Sequence, residues 1–229
     1  MSTEIILSLT VASLFFYFWR KEQKKKQLAF IKNYKFSPAI IRRIKEKHSY
    51  LSDRDMVKVI KATRDYFYIC NQANGKMVAM PSEVVDVFWH EFLLFTREYQ
   101  LFCKRGIGRF LHHTPTEAMK SKTSAQEGIK RAWRLACAKE GIDPKNPKKL
   151  PLLFGIDKML KIKGGFNYQL NCQSQLGSST GGYCATDIGC SSGCSGDSGA
   201  SCGGDSSSFS DSGSSSSCSS CGGGGCGGD

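Results

Sequence analysis

Residues 81–102 read PSEVVDVFWHEFLLFTREYQLF, and this stretch decides the fold class. Val84, Phe88, Phe92, Phe95, Tyr99 and Phe102 recur every three or four positions, with Val87, Leu94 and Leu101 beside them. An apolar arc this wide at helical period predicts a helix buried on most of its sides. Pro81-Ser82-Glu83 supplies the start, and the helix is expected to run on to Gly106.

Working outward, the same period continues on both sides. Ser37-Pro38 opens a helix with Ile40, Ile41 and Ile44 on one face, fading near His48. Ser52-Asp53-Arg54-Asp55 offers a cap and first-turn carboxylates for a second, in which Met56, Val59, Ile60, Thr63, Phe67 and Cys70 repeat, ending near Asn74-Gly75. Beyond residue 106, a helix over residues 124–140 carries Ile129, Trp133 and Ala136/Cys137 and stops at Gly141. Leu150-Pro-Leu-Leu-Phe-Gly-Ile-Asp-Lys-Met-Leu160 adds a short last helix, and no period-two run is long enough for a strand. The expectation is an all-α domain of about five helices over residues 27–170.

The ends differ sharply from this domain. The 229 residues carry 32 Lys+Arg and 20 Asp+Glu, a net charge of +12. Residues 1–26 contribute +3, residues 27–170 contribute +14, and residues 171–229 contribute −5. Ile5–Trp19 is free of charge and is followed at once by Arg20, Lys21, Lys24, Lys25 and Lys26. Such a run predicts an N-terminal transmembrane signal anchor, with the basic flank setting the N-terminus outside and the domain on the cytoplasmic face. Residues 171–229 are dominated by Gly and Ser and hold eight of the 11 Cys, a composition expected to remain disordered. Cysteines placed outside the part able to bury a core exclude a small disulfide-stapled scaffold.

The run Val85-Asp86-Val87-Phe88-Trp89-His90, with Tyr99, Phe102-Cys103, Gly108-Arg109-Phe110-Leu111-His112-His113 and Leu150–Asp157, resembles the glycine-rich domain-containing protein-like family of bacteria and plants. The likeness covers about residues 35–168. Members often carry a second His two places after the first, where this chain has Phe92. The resemblance implies a helical domain beside a Gly-rich segment and implies no established reaction.

His90, His112 and His113 are of the type that ligates transition metals. His90 and Cys103 lie 13 residues apart on the expected helix, about 20 Å, too far to share an ion unless the helix breaks. After the Gly106-Ile107-Gly108 turn, an extended segment can bring His112 or His113 back toward His90. Either a metal site or a structural polar cluster of Asp86, Trp89, His90 and His112/His113 satisfies this spacing. In the tail only Cys218 and Cys221 have CxxC spacing, with Cys226 five further on, a set compatible with soft-metal or thiol-redox chemistry.

No G-x-S-x-G elbow, P-loop Lys-Ser/Thr or DNA- or RNA-binding motif occurs in the folded part, so catalytic and cofactor-binding residues are not assigned and nucleic acid is not the expected partner. The excess of basic charge suits an anionic membrane surface. Two functions follow as expectations: an interaction or scaffolding module held near the membrane with an unidentified protein partner, or a metal-binding or thiol-redox protein using the tail cysteines and His90 with His112/His113.

Overall fold

A computed structural model describes residues 2–113, 122–170, 183–185 and 188. Seven α-helices account for most of these residues: α1 Ser2–Asn33, α2 Pro38–Lys47, α3 Asp53–Gln72, α4 Glu83–Leu93, α5 Thr96–Phe102, α6 Lys122–Glu140 and α7 Leu152–Met159. A π-helical turn, Cys103–Ile107, follows α5 directly. Two short strands, β1 Tyr168–Gln169 and β2 Tyr183–Cys184, pair in parallel. Behind them Ala185 is fully buried and Ile188 packs on the core, so chain beyond residue 171 joins the domain at this point.

Local chemistry explains the helix starts. Ser37 Oγ accepts from the Ala39 amide with Pro38 in the first turn. Ser52 and Asp55 form a reciprocal capping box, and Ser82 Oγ accepts from the Val85 amide. Each satisfies an amide that has no partner inside its helix. The stops are equally local: Asn74 and Gly75 close α3 and Gly141 closes α6, all at positive φ.

At the centre, α3 touches α1, α4, α6 and α7. The aromatic rings of Phe36, Phe67, Phe88, Phe92 and Phe102 meet there edge to face, and none is substantially exposed. A second cluster packs Trp133, Phe154 and Tyr168 edge to face where α6 and α7 meet β1. Truncating one such ring to Ala costs about 3–5 kcal/mol, because the burial is lost and a cavity is left.

The helix expected to run unbroken to Gly106 is interrupted. Leu94 and Phe95 leave helical hydrogen bonding, and Phe95 takes φ −86°, ψ 61°. In one straight helix Phe92 and Phe102 would stand about 15 Å apart along the axis. Their ring centroids are 5.4 Å apart, so the chain folds back on itself at the break. Burying Tyr99 and Phe102 against α4 is what an interrupted helix gains over a straight one.

The N-terminal segment corrects a larger expectation. Among the described residues no helix is long and apolar enough to cross a membrane. The charge-free run Ile5–Trp19 rises about 22 Å as a helix, short of the ~30 Å hydrocarbon core, and lengthening it takes in Glu4 or Arg20 and Lys21. The transmembrane helix, the signal anchor and the single-pass location with its N-terminus outside therefore do not hold. Nor do Arg20, Lys21, Lys24, Lys25 and Lys26 flank a span: they lie in the middle of α1, which continues into the domain. Lys24 Nζ donates to the Asn71 carbonyl at 3.2 Å and also to Asn74 Oδ1. Ile31 is buried beside Phe30 and Tyr34 against the central rings. The run itself is exposed, from Ile5 at 54% to Phe15 at 72% and Trp19 at 50%.

Candidate metal centre

Asp86 and His90 are four residues apart on α4, so they lie over one another on one face. Val84, Val85, Phe88, Trp89 and Phe92 take the buried positions, which turns these two side chains outward. The third group comes from outside the helix. The π-helical turn ends at Gly108 in left-handed conformation, φ 78°, and the extended chain after it delivers His113 to α4. Its ring lies 4.2 Å from that of His90 and 4.5 Å from that of Trp89 between centroids.

Asp86 joins the two imidazoles. Its Oδ1 lies 3.0 Å from His113 Nε2 and its Oδ2 lies 3.3 Å from His90 Nδ1. His90 Nδ1 is also 3.0 Å from the Asp86 carbonyl. One ligand-type atom from each of Asp86, His90 and His113 falls within 4.8 Å of the others. Burial grades across the group: the side chains are 13% exposed at His113, 26% at Asp86 and 49% at His90. The site therefore has a protein wall on one side and solvent on the other.

Glu83, one turn before Asp86, is held above the usual carboxylate range, mainly by burial and then by Asp86 and Asp157, with His90 opposing. Carboxylates that repel one another gain from a nearby positive charge. Two imidazoles and a carboxylate form a donor set suited to Zn²⁺, Fe²⁺, Mn²⁺ or Co²⁺. Gathered on one side, they leave coordination positions open toward solvent.

The wall behind the site is a hydrogen-bonded aromatic group. Trp89 Nε1 donates to the Tyr99 hydroxyl at 3.2 Å, and that hydroxyl donates to the Leu111 carbonyl. Tyr66 packs on the other side of Trp89 and donates to the Val78 carbonyl at 3.2 Å. In a straight helix Trp89 and Tyr99 would be about 15 Å apart, so the break at Leu94–Phe95 also builds this wall.

Of the residues expected to form a site, the structure brings together Asp86, Trp89, His90 and His113. His112 is not among them; its ring packs edge to face on Phe110 at 4.8 Å and is exposed. Cys103 is buried near Tyr99 and away from the ligand group, its thiol raised by burial. Burial pushes the Cys70 and Cys137 thiols up to about 12, which makes all three poor nucleophiles. Cys218, Cys221 and Cys226 lie outside the described residues. Tyr99 and Leu111 were missed as members of the site. Tyr99 reads as one more position of an unbroken helix and Leu111 as extended chain beyond it, and only the break brings the Tyr99 hydroxyl between Trp89 and Leu111.

A family model described as UCP032817-like matches residues 26–188, a span that contains every residue of this group. That description carries no glycine-rich designation, so the resemblance narrows to it. Searches of curated proteins and of solved structures each returned no match.

Proposed function

The chain belongs to the UCP032817-like family, and for this member we propose a divalent transition-metal-binding function centred on Asp86, His90 and His113. The observation that carries it is the convergence of one donor atom from each residue within 4.8 Å, from two separate parts of the chain. Two residues four apart on a helix meet by default. A third donor, the imidazole of His113, arriving across 27 positions of sequence beside an aromatic wall that holds its segment, does not. The bound ion would displace the protons that Asp86 shares with the two rings and would tie residues 109–113 to α4. Of the two functional expectations, metal binding is the one this geometry supports.

The test is metal content and Zn²⁺ titration of the full-length chain, with the eight cysteines beyond residue 171 replaced by Ser so that thiols do not compete. One equivalent should bind and be lost in His113→Ala and in Asp86→Asn. Unchanged stoichiometry in both variants overturns the proposal.

A further inference from the structure

We propose that Tyr99 is the positioning residue of this site, setting its metal affinity without touching the ion. The inference rests on the metal-binding reading of Asp86, His90 and His113. It starts from an imbalance in how the ligands are held. Asp86 and His90 stand on a regular helix, and their separation is fixed by α4. His113 stands on extended chain, where no helical hydrogen bond fixes it. Between Gly108 and His113, Phe110 packs edge to face on the Tyr99 ring at 5.4 Å, Leu111 packs on the core, and the Tyr99 hydroxyl donates to the Leu111 carbonyl, two residues before the ligand.

The same hydroxyl receives Trp89 Nε1–H, and the Trp89 indole is the surface against which the His113 ring rests. One oxygen thus sets both the path of the chain bearing His113 and the orientation of the ring beside it. The buried Cys103 thiol is also next to this hydroxyl and the Leu111 backbone. Tyr99 is itself buried and packs edge to face on Phe92 at 5.3 Å, so its ring is locked independently of the hydroxyl. Removing the oxygen alone therefore removes the hydrogen-bonded hold on the His113 segment without removing the ring. Groups that orient a metal ligand from behind contribute about 10–100-fold to affinity.

Tyr99→Phe is the direct test, read by Zn²⁺ titration of the full-length chain in the tail-Ser background beside the wild type, His113→Ala and Trp133→Phe. On α6, Trp133 Nε1 donates to the Pro144 carbonyl at 3.0 Å in a part-buried hydrogen bond, so its variant loosens a buried ring cluster outside the site. Tyr99→Phe should bind about 10–100-fold more weakly and release Zn²⁺ to a chelator faster, while Trp133→Phe keeps wild-type affinity. Equal affinity in Tyr99→Phe and wild type overturns the inference while leaving the metal site standing. Equal weakening in Trp133→Phe also overturns it, since general loosening would then suffice. Absence of binding to the wild type instead removes the metal reading itself. Should Tyr99→Phe fail to fold, replacement of Tyr99 by 4-methylphenylalanine, which fills the space of the hydroxyl without hydrogen-bonding, decides: a loss of about threefold or more supports the inference and no loss overturns it.

Discussion

The carboxylate of Asp157, on α7, accepts the hydroxyl of Ser82 at 2.7 Å across 75 positions of sequence. The same carboxylate accepts the amides of Glu83 at 2.7 Å, Val84 at 3.3 Å and Phe166 at 2.9 Å, and Asp157 is only 2% exposed. It therefore caps α4 from a different helix and fixes where the helix bearing Asp86 and His90 begins. Asp157→Asn keeps the shape but turns an amide NH₂ toward N–H donors. The expected loss is about 2–4 kcal/mol, measured by urea unfolding, with weaker Zn²⁺ binding because Asp86 lies one turn beyond Glu83. A loss under about 0.5 kcal/mol would mean that the cap is ornamental.

Glu91 predicts how stability responds to acid. It is buried between α4 and α2, 2.7 Å from Lys47 Nζ and 3.2 Å from Arg43. The bond from Lys47, with that from Arg43, holds its carboxyl below the ordinary range against burial. A depressed folded value gives stability that is full above the unfolded value near 4.3 and is lost as pH falls through the folded one. Glu91→Gln should lower stability by about 1–2 kcal/mol at neutral pH, since both cations are half exposed. The difference from wild type should shrink by about pH 3. A gap of equal size at both pH values would falsify the assignment.

What the sequence reveals and what it hides divide along the same physical line. Ser37-Pro38, Ser52 with Asp55, Ser82 and Gly141 are legible because a cap acts within three or four residues of itself. The break at Leu94–Phe95 is not, because its cause is the return of Tyr99 and Phe102 onto Phe92, a tertiary gain with no local signature. The choice of His113 over His112 depends on the same return, since Tyr99 holds Leu111 and so decides which ring faces α4. At the other end, Ile5–Trp19 has the apolar character of a membrane segment without the length, and a pattern reading weighs the first more readily than the second.

That correction has its own consequence. The large apolar side chains of Ile5–Trp19 are half exposed or more, and their ring contacts, such as Phe16 with Trp19 at 5.9 Å, stay within α1. The ties of α1 to the domain begin at Lys24. Removing residues 2–19 should leave the thermal midpoint within about 2 °C of the full chain, as expected when no buried contact is lost. Loss of cooperative unfolding on this deletion would show that the run packs on the domain.

Gly108 gives the last prediction, because two separate penalties meet there. Its φ of 78° is one that side-chain-bearing residues rarely adopt, and an added Cβ would stand 2.7 Å from Gln27 Nε2. Gln27 is not free to withdraw, since its Oε1 accepts Asn71 Nδ2 at 2.8 Å, and the same Nδ2 donates to the Gly106 carbonyl. Gly75 has φ 91° with open space around it and so isolates the backbone term. Gly75→Ala should cost about 1 kcal/mol, and Gly108→Ala about 2–3 kcal/mol once the clash adds to the strain. Gln27→Ala removes the clash but not the positive φ, so the Gly108→Ala change should cost only about 1 kcal/mol when made on that background. Urea midpoints of the four proteins of this cycle measure the difference. Strict additivity would mean that Gln27 yields freely and that the turn delivering His113 is held by backbone preference alone.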